Sequence, residues 1–179
     1  MDRDEIEGAL RELAEDLDGR GVVARIFLVG GAAMVLAYES RFSTDDVDAS
    51  GYPTEDVLAV AAEVAERRGL QPNWLDDSVR VHRPVASETE WRPVIKVGNA
   101  EVVVADERTL LALKMRASRG RRDEADIQFL LDKCQMTSVD DALALYEEYF
   151  PDDELPPRAI PMLRHALDGL GRSTDSSAS

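Results

Sequence analysis

The sequence predicts an α/β chain of the α+β kind, with a small mixed sheet, flanking helices and a helical C-terminal part. Three observations predict it. Short β-branched runs alternate with segments of helical period over the first half of the chain. A Gly98-Asn99 turn signal separates two apolar runs, which is the pattern of a hairpin. From Glu107 onward only helical periodicity remains. The expected organisation is an α/β core over 1–106, a helical region over 107–170 packed on it, and a disordered small-polar tail over 171–179.

Taken in order, Ile6, Leu10, Leu13 and Leu17 fall at helical spacing over 3–18, and Gly19 and Gly21 bracket the end. Val22 to Val29 is β-branched and apolar and predicts a buried strand. Gly30-Gly31 follows at once, and the apolar AAMVLAY predicts a short buried helix. A second short strand is expected to carry Asp46-Val47-Asp48-Ala49, stopped by Gly51 and Pro53. Thr54 is the expected N-cap of a helix whose inner face is Val57, Val60, Ala61, Val64 and Ala65, ending near Gly69. Val79-Arg80-Val81, Val94 to Val97 and Glu101 to Ala105 predict strands. Helices are expected at 107–118, 123–134, 138–149 and 157–170, the third opened by a Ser138/Asp141 capping box.

Composition narrows the function classes. A single cysteine, Cys134, excludes a disulfide framework. The acidic, amphipathic start is the opposite of a signal peptide, and no apolar run approaches the roughly 20 residues a membrane span needs. A cytoplasmic protein with no membrane partner is the expectation. A net charge of −15 repels nucleic acid and anionic lipid unless cations are gathered locally. Lys114, Arg116, Arg119, Arg121 and Arg122 form one such gathering.

The chemistry concentrates in FLVGGAAMVLAYESRFSTDDVDA, residues 27–49. A strand period of two puts Asp46 and Asp48 on one face with Val47 toward the core. Two carboxylates held together repel, and a hard divalent cation removes the conflict. Mg²⁺ suits a pair of carboxylates completed by phosphate oxygens and water. Glycine at a strand-to-helix corner admits close backbone approach, and free N–H groups there favour a phosphate. Either feature alone is ordinarily a solvated acidic turn or a plain glycine turn. Their combination, with Arg41-Phe42-Ser43 just ahead of the acids, points to a site.

This stretch resembles the first motif of the nucleotidyltransferase superfamily, and more closely that of AbiEii-type toxins: Gly-Gly, a short helix, then Arg-aromatic-Ser/Thr-x-Asp-hydrophobic-Asp. LLALKMRASRGRRDEADIQFLL, residues 110–131, is similar to that family's helix-borne Lys followed by Arg-Asp-x-x-Asp. Asn73-Trp74-Leu75-Asp76-Asp77 resembles a short bacterial branch of the same superfamily. The resemblance implies a sheet of nucleotidyltransferase type, with Mg²⁺ (or Mn²⁺) on Asp46 and Asp48 and a nucleoside triphosphate as substrate. It places Gly30, Gly31, Arg41 and Ser43 around the triphosphate, Lys114 on its phosphates, and Asp123 or Asp126 as the later acid. The acceptor it implies is a tRNA end or a protein hydroxyl, and the role that of the toxin of a type IV toxin–antitoxin pair with a cognate antitoxin as partner.

The chain departs from the family in having no clear strand-borne third carboxylate. Asp76, Glu101 and Asp106 are the candidates, and none fits well by sequence. That departure favours, as alternatives, a non-catalytic module of the same fold. Net negative charge favours a small-molecule enzyme acting on a cationic, aminoglycoside-like acceptor. Plain structural readings compete at several positions. Asp123 and Asp126 suit an N-cap and early helix, Cys134 an apolar helix face, and Trp74 and Trp91 packing. His82 and His165 lack metal-ligand spacing.

Overall fold

The computed structural model describes residues 1–38, 43–44, 47–77 and 90–175, with backbone alone at 121–122 and 172–175. The described residues form a mixed α/β structure of seven helices and a five-stranded mixed sheet. They divide into two compact units, the first within 1–83 and 90–105 and the second within 106–179.

In the first unit, helix α1 (Arg3–Gly19) opens with a capping box between Asp2 and Glu5. Its predicted apolar stripe, Ile6, Leu10, Leu13 and Leu17, is fully buried. Strand β1 (Ala24–Leu28) buries Ala24, Ile26 and Leu28 while Arg25 is exposed, so the sequence alternation becomes two distinct sheet faces. Helix α2 (Gly30–Leu36) follows within one residue. Strand β2 (Val47–Tyr52) runs antiparallel to β1, with Phe27 opposite Ser50 and Ile26 opposite Gly51. The strand therefore continues through Gly51 instead of stopping there. A Cβ at that position would lie 2.5 Å from the Val57 side chain, so Gly51 is where helix α3 (Thr54–Arg68) comes down on the sheet.

Pro53 is the N-cap of α3 in place of the expected Thr54, whose hydroxyl instead donates to the Gly51 carbonyl at 3.0 Å. The helix ends at Gly69 in the left-handed conformation. Trp74 is buried, and its indole N–H donates to the Ala61 carbonyl at 2.9 Å, so it packs as expected. Strand β3 (Leu75–Asp76) then pairs parallel with β2. Strands β4 (Trp91–Val97) and β5 (Ala100–Ala105) make the hairpin at Gly98-Asn99, and β5 lies parallel to β1. The sheet order is β3-β2-β1-β5-β4. Helix α1 packs against β1, β4 and β5, and α3 packs against β2 and α1, so both helices cover the Ile26/Gly51 face. The opposite face, called the outer face below, carries Arg25, Phe27, Asp48, Ser50 and Tyr52, of which Asp48 and Ser50 are buried.

The second unit is helical: α4 (Glu107–Ala117), α5 (Arg121–Lys133), α6 (Val139–Tyr149) and α7 (Ala159–Asp175). Asp106 caps α4, accepting the Thr109 amide at 2.7 Å, and the Ser138/Asp141 capping box opens α6 as its sequence predicts. Helix α5 begins earlier than expected, at Arg121, with Gly120 as N-cap, so Asp123 is its third residue and not the cap. Helix α7 runs to Asp175, into the segment expected to be a disordered tail; 176–179 and the expected strand at 79–81 lie outside the described residues. Leu110, Leu111, Met115, Ile127, Leu130, Leu131 and Leu163 form the core. Among the described residues no helix is long and apolar enough to cross a membrane.

Candidate active site at a glycine corner

The site is built from the end of β1 outward. Val29 is extended (φ −136°, ψ −167°) and Gly30 turns the chain into α2 at φ +62°, a conformation that costs an L-residue. The β1–β2 ladder reaches one step past β1, with the Val29 amide donating to the Asp48 carbonyl at 3.0 Å. That step fixes Asp48 beside the corner. A Cβ on Gly30 would lie 2.0 Å from Asp48 Oδ2 and 2.8 Å from its Cγ, so the carboxylate occupies the space that any other residue would fill. Asp48 is 9 % exposed, while Val47 on the opposite face is fully buried, as the period-two reading requires. Helix α2 has only seven residues, so close approach at Gly30 matters more here than a helix dipole.

Asp76 completes the acidic side. In β3 it stands directly opposite Asp48 in parallel register, and Val47 opposite Leu75. Registered neighbours on adjacent strands share a face and lie about 5 Å apart between backbones. Of the three candidate acids, Asp76 is the one that pairs in register with Asp48. The other two candidates are used elsewhere: Glu101 pairs with Arg25 at 2.8 Å, and Asp106 caps α4. A two-residue strand leaves almost no periodicity to read, so the signals available were the apolar Trp74-Leu75 before the acid and the resemblance of 73–77.

Asp46 and Arg41 lie outside the described residues. Ser43 is exposed and bridges to Asp2 in an antiparallel pair. Thr44 is 4 % exposed, and its hydroxyl has no hydrogen-bond partner among the described residues. Gly31 is buried within α2. Among the described residues no group of three or more His, Cys, Asp or Glu is arranged around one metal position.

Lys114, Asp123 and Asp126, the other predicted site residues, come together inside the second unit. Lys114 Nζ donates to Asp123 Oδ1 at 2.9 Å and lies 2.8 Å from Asp126 Oδ2, the latter an ion pair whose angles fall outside hydrogen-bond geometry. Asp123 Oδ2 also accepts the Arg119 amide at 2.7 Å. Burial alone would raise the Asp123 carboxyl. The charge and hydrogen bond of Lys114, with the Arg119 amide, outweigh it and hold Asp123 below the usual carboxylate range. One ammonium faces two carboxylates, all three at most 8 % exposed, and the cluster ties α4 to α5. Arg116 is likewise engaged, by Asp153 at 2.6 Å and over the Phe150 ring. Two members of the predicted basic gathering therefore serve this chain's own acids.

The remaining candidates are structural. Trp91 packs edge-on against Phe27 with ring centroids 4.9 Å apart. His165 pairs with Glu124 at the surface, and His82 lies outside the described residues. Cys134 is the C-cap of α5 and half-buried, and burial pushes its thiol up to about 11. Its alkylation by iodoacetamide at pH 8 is expected to be about 100-fold slower in the folded chain than in urea, because the thiolate fraction falls tenfold per unit. Equal rates would show the thiol to be exposed. Comparison with known protein families, with curated proteins and with solved structures found no match to this chain.

Proposed function

We propose that this chain is a metal-dependent nucleotidyltransferase, transferring a nucleotide from a nucleoside triphosphate to a macromolecular acceptor such as an RNA end or a protein hydroxyl. The observation that carries the reading is the packing of the Asp48 carboxylate against the Cα of Gly30, with Asp76 in register beside it. These residues fit a hard divalent cation. They are oxygen donors on one sheet face, held by backbone pairing, and Gly30 leaves room that a Cβ would take. Asp48 and Asp76 would hold Mg²⁺ or Mn²⁺, joined by Asp46 on the sequence pattern. When bound, the ion supplies charge stabilisation at the triphosphate.

The chain's own residues do the rest by placement. Gly30 lets the Asp48 carboxylate lie against the corner, and the β-ladder through Val29 and Asp48 holds the backbone that carries it. One carboxylate, Asp48 or a later acid, would accept the proton of the acceptor hydroxyl. In the resemblance this activity belongs to a toxin countered by an antitoxin, and that role is part of the proposal. A second reading, a nucleotide-binding module without transfer, is favoured by one observation. Lys114, the residue expected on the phosphates, is buried and taken by two carboxylates.

The test is incubation with each α-labelled nucleoside triphosphate, Mg²⁺ and total RNA or cell extract, comparing wild type with Asp48→Asn and Asp76→Asn. Label transfer is expected in wild type and a loss of 100-fold or more in either variant, on the order of one missing electrostatic group in a transfer site. Metal-dependent nucleotide binding without any transfer would select the module. Growth arrest on expression, relieved by both substitutions, would support the toxin role. Neither binding nor transfer would overturn both readings.

A further inference from the structure

The outer sheet face changes character along β1. Four residues before the acidic row, or about 13 Å along the strand, Arg25 lies between Tyr52 on β2 and Glu101 on β5, and Glu101 faces Lys96 on β4. These side chains and Val23 border an open cavity of about 440 Å³, which Asn99 also lines. That volume is within the range of small-molecule sites. Of the three large hydrophobic side chains exposed among the described residues, two line it: Val23 at 70 % and Tyr52 at 72 %.

The charges are arranged unevenly. Arg25 is committed, pairing with Glu101 at 2.8 Å and lying over the Phe27 ring at 5.3 Å. Lys96 is exposed and has no ion pair among the described residues. The cavity thus holds two cations against one carboxylate in a chain of net charge −15. A polyanion would meet too little positive charge here and too much negative charge around it. A neutral ring would leave Lys96 unused, and a bare anion would leave Tyr52 and Val23 wet.

We propose that this cavity binds an aromatic anion, with a planar ring lying on Tyr52 and a single anionic group at Lys96. A free nucleoside monophosphate has this chemistry. The site is separate from the Asp48 corner and does not rest on nucleotidyl transfer.

The test is done on the whole chain in EDTA, so that the acidic corner plays no part, by calorimetry and amide NMR. The probes are uridine monophosphate, uridine, inorganic phosphate and an eight-nucleotide uridine strand. Uridine monophosphate is expected to shift the Lys96 and Asn99 amides, with uridine and phosphate each weaker by about tenfold or more. Tyr52→Ser and Lys96→Glu, both at exposed positions, should each weaken it by about tenfold, while Lys133→Glu in the second unit leaves it unchanged. A strand that binds more tightly than the monophosphate would overturn the assignment to a single anionic group, and equal or weaker binding per nucleotide would support it. Absence of these shifts at millimolar monophosphate, equal binding of phosphate alone, or indifference to both variants would overturn the proposal.

Discussion

Replacing Lys114 by methionine is expected to destabilise the helical unit by about 3–5 kcal/mol, the cost of stripping the cation from a buried ion cluster. Set against a total stability of roughly 5–15 kcal/mol for a folded domain, that is enough to unfold a marginal one. The size follows from burial. Asp123 and Asp126 are 2 % and 1 % exposed on their side chains, so removing the ammonium between them leaves buried charge uncompensated. The ion pairs joining Arg67 and Arg68 to Glu12 are solvated, and losing them is expected to change stability far less. Urea unfolding followed by far-ultraviolet circular dichroism measures the difference. Adding Asp123→Asn and Asp126→Asn to Lys114→Met should recover much of the loss, because the uncompensated charge is then gone. A loss below about 1 kcal/mol in the single variant would show that the cluster is hydrated.

The pH dependence gives a second readout that a packing defect would not share. In wild type the Asp123 carboxyl is held below its unfolded value, so its contribution is fully present above about pH 4 and is lost as pH falls through the folded value. In Lys114→Met the largest influence opposing burial at Asp123 is gone and only the Arg119 amide and charge remain against it, so that carboxyl is expected to rise. The folded state then binds protons more readily than the unfolded one, and stability rises as pH falls. The sign of the slope near pH 4–5 should therefore reverse between the two proteins.

Most of the fold was legible because its elements carry strong local signals. The stripe of α1, the β-branched run of β1, the Gly98-Asn99 turn and the Ser138 capping box each rest on side chains whose preferences act within a few residues. Tertiary contacts decided the exceptions. Gly51 reads locally as a strand breaker but serves as the seat for Val57. The site was legible in the same proportion. Gly30 and Asp48 were found from spacing, because strand period and glycine chemistry are local. The parallel pairing of Asp76 with Asp48 joins residues 28 positions apart through a strand too short to show a pattern. The meeting of Lys114 with Asp123 and Asp126 follows from two adjacent helices, yet sequence could not say that the lysine would face inward.

Substituting Gly30 by alanine is expected to abolish nucleotide transfer, lowering it by 100-fold or more, while leaving a folded chain. Two costs meet at this residue. The φ of +62° is disfavoured for alanine by about 1–2 kcal/mol. The larger effect is steric, since the new methyl would lie 2.0 Å from Asp48 Oδ2 and one of the two must move. Val29 and Asp48 are joined by a backbone hydrogen bond, so the side chain is the part free to give, and it rotates off the face it shares with Asp76. A double-mutant cycle separates this contact from any general weakening. In an Asp48→Ala background, where the carboxylate is absent, Gly30→Ala should cost about 0.5–3 kcal/mol less than in wild type. Additive losses in stability would place Asp48 away from the corner, and full activity in Gly30→Ala would mean that transfer, if present, is carried out elsewhere on the molecule.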